Sequence, residues 1–530
     1  MEEFTMKKLR ILSLVLSLIM MLAALASCSA SNKAEDMLRD PADYQPNYSI
    51  GGTNGSLKDE EAADDGSDVN GNDYDKIEDT VLVENPFVDT ATQALSTFSA
   101  DVDTASYTYF RKLISQGYTL NELKSQIGRS PLRTEEMVNY FDYSYTLPET
   151  GEVFGTQATV AKTPWNENSY LLMLGIAAEQ VQEKGANNLV FLIDVSGSMA
   201  SNDKLPLLKN AFSNLVSALD ENDVVSIVTY SGREAVVLSG CRGDRDEEIM
   251  NAINSLKASG STNGEAGLTR AYSLAKDYYI EGGNNRIIMA SDGDLNVGIS
   301  SEEELKSYIE GKRDEGIFLS VLGFGTGNYK DATMSALAQN GNGVYYYIDG
   351  EREAEKVLGT DLLSTLYTVA KDVKFQLEFN AEYVSQYRLI GYETRMLEAE
   401  DFEDDTKDAG EVGAGHTLTV CYEIILTDVA ERAETAEFAT LKMRYKAPDS
   451  DESVPREYVI DKSVMTYTPS ADFKFASAVI EATMIINGSE YNAKSVTLND
   501  VFEQLSELDL AADTDKTEFK NMINGLIEDK

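Results

Sequence analysis

Two aspartates and three hydroxyl residues, well separated in the chain, carry the chemistry that this sequence offers. Asp194-Val-Ser196-Gly-Ser198 closes an apolar run, NLVFLI, from Asn188 to Ile193. Thr262 stands in a Gly-Ser-Thr-Asn turn, and Asp292 in Ser-Asp-Gly-Asp directly after a second apolar run, RIIMA, from Arg286 to Ala290. Carboxylates and hydroxyls are hard oxygen donors. Together they suit Mg²⁺, which prefers octahedral oxygen ligation and keeps positions for water or for a partner's carboxylate; Mn²⁺ and Ca²⁺ are the alternatives. A DxSxS string alone is weak evidence, since Ser and Asp also build turns and helix caps. Its weight comes from Thr262 and Asp292, each placed beyond a strand or in a loop beside one. In an open α/β sheet that edge is where ligands bind.

The elements that would position these residues alternate along the chain. After the first strand, Leu205, Leu208, Phe212, Leu215 and Leu219 recur at helical spacing. Strands VVSIVTY (224–230) and AVVL (235–238) follow, then a helix around Ile249, Ile253 and Leu256 that leads to the Thr262 turn. Leu268, Ala271, Leu274, Ala275 and Tyr278 mark a helix before RIIMA. Beyond Asp292 come a helix over Leu305 and Ile309, strand IFLSVLGF, a short helix at Met334 and Leu337, and strand VYYYI. Short apolar strands separated by amphipathic helices predict an α/β fold with a doubly wound, mostly parallel, Rossmann-like sheet over 187–368.

This arrangement resembles the metal-ion-dependent adhesion site of the von Willebrand factor A (VWA) domain. The resemblance implies that Ser196, Ser198 and Thr262 approach the metal directly, while Asp194 and Asp292 hold it directly or through water. It further implies a binding module rather than an enzyme, in which a Glu or Asp of a protein partner completes the coordination. STFSADVDTASY (96–107), RTEEMVNYFDY (133–143), FGTGNYKDATMSALAQNGNGVYYYID (324–349) and DAGEVGAGHTLTVCYEI (408–424) are similar to bacterial lipoproteins of the YfbK-like family. The likeness spans nearly all of 85–490 and implies an envelope-anchored protein with a metal-dependent binding face.

The leader agrees with that expectation. Met6-Lys7-Lys8-Leu9-Arg10 is a basic region, Ile11 to Leu25 is apolar, and Leu25-Ala26-Ser27-Cys28 resembles a lipobox, in which Cys28 carries the lipid. The expected organisation is a lipoprotein signal peptide (1–28), a disordered acidic tether (29–84), a small N-terminal flanking domain (85–186), the VWA domain (187–368), and a C-terminal β-sandwich with helices (369–530). The localisation expected is the cell envelope, outside the cytoplasm, lipid-anchored to a bacterial membrane. Among 530 residues, 90 Asp and Glu against 45 Lys and Arg give a formal net charge of −45, which repels nucleic-acid phosphate and excludes nucleic acid as a partner.

Competing motifs carry less. The single histidine, His416, precludes multi-His zinc sites and reads as a turn residue ahead of a strand. Cys241 and Cys421 read as buried thiols. Gly323-Phe-Gly325-Thr-Gly327 lacks the third glycine of a dinucleotide loop and reads as a tight turn. Arg242-Gly243-Asp244 reads as a charged loop, and Asp294 as a loop-shaping residue. Asp101-Val-Asp103 is a candidate second cation site, with capping of backbone amides as its alternative. Two rival functions remain at this stage. One is a metal-assisted envelope hydrolase, for which Glu265 is the nearby base candidate. The other is an envelope scaffold whose metal only stabilises it.

Overall fold

The computed structural model describes residues 83–528, apart from 129–130, 181–184, 261–263, 294–301, 326–330, 362–365, 449 and 494. Cys28, Thr262 and Asp294 therefore lie outside the described residues, as do the leader and nearly all of the expected tether.

The N-terminal stretch holds strands β1 (Val88–Asp89) and β2 (Leu95–Ser99), helices α1 (Ala105–Ser115), α2 (Leu120–Ile127) and α3 (Thr134–Asn139), and the antiparallel pair β3 (Phe154–Lys162) and β4 (Tyr170–Ala178). Helix α2 begins where Thr119 and Glu122 cap each other's backbone amides.

Strand and helix then alternate: β5 (Asn187–Asp194), α4 (Leu205–Val216), β6 (Val224–Tyr230), β7 (Ala235–Arg242), α5 (Asp246–Ser255), α6 (Gly264–Asp277), β8 (Asn284–Ser291), α7 (Glu302–Asp314), β9 (Phe318–Phe324), α8 (Asp331–Asn340), β10 (Tyr345–Ile348) and α9 (Glu351–Lys356). The sheet order is β10-β9-β8-β5-β6-β7, parallel throughout except for β7, which lies antiparallel on β6. Every residue of β5 is buried. Leu189, Phe191 and Ile193 pack with Leu208, Phe212 and Ile249 on one face, and Val190 and Leu192 with Leu268, Ala271 and Ile309 on the other. Each such side chain contributes roughly 1.5–3 kcal/mol on burial, so a strand covered by helices on both faces is apolar at consecutive positions. Tyr345 and Tyr347 join one of these layers and Tyr346 the other. The α/β, doubly wound sheet expected from the sequence is the fold of this domain.

The C-terminal stretch holds β11 (Thr368–Phe379), β12 (Val384–Ile390), β13 (Met396–Leu397), β14 (Gly410–Gly413), β15 (Thr417–Leu426), α10 (Asp428–Arg432), β16 (Glu437–Lys446) and β17 (Ser453–Asp461), then helices α11 (Ala471–Asn487), α12 (Leu498–Ser506) and α13 (Thr514–Glu528). Two further sheets form, in the orders β1-β12-β15-β4-β3 and β13-β2-β11-β16-β17, with β14 on β11. Leu172, Leu174, Val420 and Tyr422 of one sheet share a core with Phe98, Phe375, Leu377 and Leu441 of the other. The expectation of a separate flanking domain at 85–186 is thereby corrected. Strand β4 pairs with β15 from Tyr170↔Ile424 to Thr417↔Ala177, and β2 pairs with β11, so both ends of the described chain build one sandwich. The α/β domain is inserted between β4 and β11. Alternation in a sequence marks a half-buried strand but not its partner, which is why segments more than 200 residues apart read as separate domains.

The terminal helices close the same circle. Phe141, just after α3, meets Phe475 of α11 at 4.8 Å and Phe519 of α13 at 5.7 Å between ring centroids. Among the described residues, no helix is long and apolar enough to cross a membrane. Glu481 of α11 is fully buried, and one of its oxygens accepts a hydrogen bond from Gln504 at 2.6 Å. Burial pushes its carboxyl up to about 7. The folded chain thus keeps a proton that the unfolded chain releases near pH 4.5, and the associated stability is lost as pH rises through 7. Glu481→Gln is expected to stabilise the protein by up to about 3 kcal/mol at pH 8 and by little at pH 4. Urea denaturation at the two pH values checks this; equal effects at both would remove Glu481 as the cause.

Candidate metal centre

Strand β5 ends at Asp194, whose side chain is fully buried, and the chain turns at once. One Asp194 carboxylate oxygen accepts the Ser196 backbone N–H at 2.7 Å, which folds the turn back over the strand end. The hydroxyls of Ser196 and Ser198 lie 2.9 Å apart. Ser196 is buried and Ser198 is exposed at the start of a short 3-10 helix, Gly197–Ala200, so the group opens to solvent on one side.

Neighbouring strands lock this turn. Val195 donates its N–H to Tyr230 at the end of β6, and Ser259 donates to Val195 at 2.7 Å. Gly197 donates to the Gly260 carbonyl at 3.1 Å. The residue two before Thr262 is therefore pinned to the DxSxS turn, while Thr262 itself lies outside the described residues. Gly260 adopts a φ of +87°, and a β-carbon there would meet the Ser231 hydroxyl at 2.6 Å, so glycine is required.

Asp292 follows β8, which is hydrogen-bonded to β5 in parallel with Ile193 opposite Ala290. Its carboxylate is almost wholly buried and takes the Lys204 ammonium at 2.8 Å. The structure thus brings Asp194, Ser196, Ser198 and Asp292 to one edge of the sheet. Lys204 was not among the residues singled out from the sequence, because its partner lies 88 positions away. The residues present suit a hard divalent cation, since all of their donors are oxygens. Glu265 falls in the first turn of α6, but its side chain lies outside what the structure describes.

The second candidate, Asp101 and Asp103, is gathered with Glu136 within reach of one ion. Arginines already occupy it. Arg395 donates to both Asp101 oxygens at 2.9 Å and lies 3.6 Å from Asp103, and Arg133 pairs with Glu136. Backbone amides contribute as well: Asp101 accepts from Asp103, Asp103 from Tyr345 and Glu136 from Ser106. Burial, and then the Asp101 charge, hold the Asp103 carboxyl well above its usual range. This is an ion-pair network that ties the start of α1 to β10 and to the β12–β13 connection. Arg395→Met is expected to cost about 3–5 kcal/mol by leaving buried carboxylates unpaired. Denaturation with and without millimolar Mg²⁺ or Ca²⁺ checks it; rescue of the variant by either ion would favour a cation site instead.

The remaining motifs keep structural roles. Arg242 donates to Asp244 at 2.7 Å, closing that loop on itself. Gly325 has a φ of +74°, as a tight turn requires. His416 offers its carbonyl to Ala178, and burial lowers its imidazole to about 4. Cys241 and Cys421 are buried free thiols, and burial pushes Cys421 up to about 12.

Comparison with known proteins follows the same division of the chain. The family model described as von Willebrand factor type A domain matches residues 188–360, and that described as "Uncharacterized protein YfbK, C-terminal" matches 364–528. A third, described as von Willebrand factor, matches 68–173. Escherichia coli YfbK is 40% identical over 432 residues, 77% of this chain and 74% of its own. The chain belongs to the YfbK family. This YfbK-family member is also similar to human inter-alpha-trypsin inhibitor heavy chain H3, at 29% identity over 32% of this chain and 20% of that protein. Among solved structures it resembles a von Willebrand factor type A protein from Catenulispora acidiphila, at 14% identity and a TM-score of 0.39, covering 66% of this chain and 89% of that one. It is a bacterial VWA-domain protein, and its A domain belongs to a class that mediates protein–protein interaction and often binds a divalent metal.

Proposed function

We propose that this protein is a lipid-anchored, extracytoplasmic binding protein whose A domain captures a protein partner through a divalent cation, with Mg²⁺ the first choice. Asp194, Ser196, Ser198, Thr262 and Asp292 would hold the ion. When bound, the cation supplies a Lewis-acid position that an Asp or Glu of the partner fills. The observation that carries this reading is the convergence of Asp194, Ser196, Ser198 and Asp292 at the carboxyl edge of the parallel sheet. The chain's own residues do three things there. The two buried aspartates concentrate negative charge, the Ser196 N–H orients Asp194, and exposed Ser198 leaves the site open to an approaching surface. In this reading the site binds rather than catalyses.

The decisive experiment is capture of envelope proteins by the purified chain with Mg²⁺ or with chelator, beside Asp194→Ala. The expected outcome is a partner retained only by the wild type in Mg²⁺, while the variant keeps its circular dichroism spectrum. Identical captured proteins in all lanes would defeat the metal-dependent mechanism. The anchor rests on the lipobox-like Leu25-Ala26-Ser27-Cys28. Cys28→Ser is expected to move the protein from the membrane to the soluble fraction after cell fractionation; unchanged membrane association would refute lipidation at Cys28.

A further inference from the structure

The Lys204 ammonium sits where positive charge matters most in this domain. It lies 2.8 Å from an Asp292 oxygen, with only 1% of the Asp292 side chain and 15% of the Lys204 side chain exposed. Water screens such a pair weakly, so its charge is felt at the site. The lysine is held there by its surroundings. Its backbone starts α4, donating to Ser201 and accepting from Leu208 at 2.9 Å. Its stem crosses Gly325 at the end of β9, where a β-carbon would lie 2.2 Å from the lysine Cε. Gly325 is in turn held by the Tyr347 hydroxyl, which donates to its carbonyl at 2.9 Å. The adjacent carboxylate, Asp203, is taken by Ser201 at 2.6 Å and by Lys112 of α1 at 3.3 Å. Lys204 therefore turns inward to Asp292.

We propose that Lys204 sets the charge of the adhesion site. Its ammonium shares Asp292 with the divalent cation, weakening metal affinity, and leaves the loaded site with one positive charge for a partner carboxylate to neutralise. This rests on the metal-dependent reading above. The charge count carries the argument. Counted over Asp194, Asp292 and the ion alone, among the described residues, the loaded group without Lys204 is neutral and offers a carboxylate little net attraction. With Lys204 the loaded site is one unit positive, and a single Asp or Glu brings it to zero. The chain as a whole carries −45 and repels acidic partners at long range. Screening confines that repulsion to a Debye length of roughly 8–10 Å, inside which the largely buried ammonium dominates the contact. The competing role is purely structural, a tie between α4 and the end of β8.

The test is Mg²⁺ titration of the full purified chain by calorimetry, for wild type, Lys204→Met, Lys204→Arg and Asp194→Ala, with Lys204→Gln as a second neutral variant should Lys204→Met fold poorly. The neutral variants are expected to bind Mg²⁺ about tenfold more tightly than wild type, with Lys204→Arg close to wild type. Their thermal upshift on adding Mg²⁺ after chelation should also exceed that of the wild type. Acetate, titrated as a carboxylate probe into the Mg²⁺-loaded proteins, is expected to bind the neutral variants several-fold more weakly. Neutral variants that lose stability yet keep wild-type affinities for Mg²⁺ and acetate would overturn the proposal and leave the structural tie. Mg²⁺ binding that is absent from every variant, or indifferent to Asp194→Ala, would overturn the metal reading itself.

Discussion

The parallel register of β5 with β8 is the constraint on which the candidate site depends. Pairing runs from Asn187↔Asn284 to Ile193↔Ala290, so the two strands reach the same edge together. Asp194 ends one strand and Asp292 follows the other, so two aspartates almost 100 residues apart come to the same edge of the sheet. A shift of one residue in either strand would turn its apolar set toward the opposite helical layer. Burial on both faces, with Leu189, Phe191 and Ile193 on one side and Val190 and Leu192 on the other, therefore specifies the site as firmly as it stabilises the domain.

The rest of the chain is arranged around that domain by pairing between distant segments. Strand β4 is buried at every position because one face joins the sandwich through Leu172 and Leu174 while the other meets the helical layer through Leu171 and Met173. The helical layer shares an apolar core with the α/β domain, with Tyr109 meeting Tyr347 at 5.7 Å between ring centroids, and a buried charge network sits beside that contact. Arg111 of α1 donates to both oxygens of Asp349, to Glu353 of α9 and to the Tyr140 hydroxyl, at 2.6–2.8 Å. Glu518 of α13 joins the same guanidinium at 3.3 Å. Desolvation offsets much of the attraction in such buried networks, so their main contribution is to make one docking geometry better than its neighbours. Lys112, the next residue, reaches Asp203 just after the Asp194–Ser198 turn, so α1 touches the loop that bears Lys204.

Much of the α/β domain was legible because its signals are local. Asn188 to Ile193 and Arg286 to Ala290 are apolar at nearly every position, as strands covered on both faces must be. Leu205, Leu208 and Phe212 repeat at helical spacing because one helix face meets one sheet face. The Tyr345–Tyr347 run distributes its rings to opposite layers as strand geometry demands. Arg242 with Asp244 and the Gly325 turn were likewise readable, since the partners sit within a few residues of each other. The sandwich was not. Its strands announce themselves by alternation, but nothing local says that β4 pairs with β15 or β2 with β11.

By itself the sequence determined the elements of the α/β domain and the oxygen-donor residues beside their ends, because strand burial, helix periodicity and turn chemistry act over a few residues; the family showed instead as a resemblance of whole segments such as 96–107 and 324–349. Tertiary structure alone decided that the two ends of the described chain share one sandwich, that Arg395 and Arg133 pair with the Asp101–Asp103–Glu136 cluster, and that Lys204 lies on Asp292. Each of these joins groups that only the folded backbone brings within a few ångströms. Coulombic and hydrogen-bonding forces select among neighbours in space, and spacing along the chain does not encode who those neighbours are.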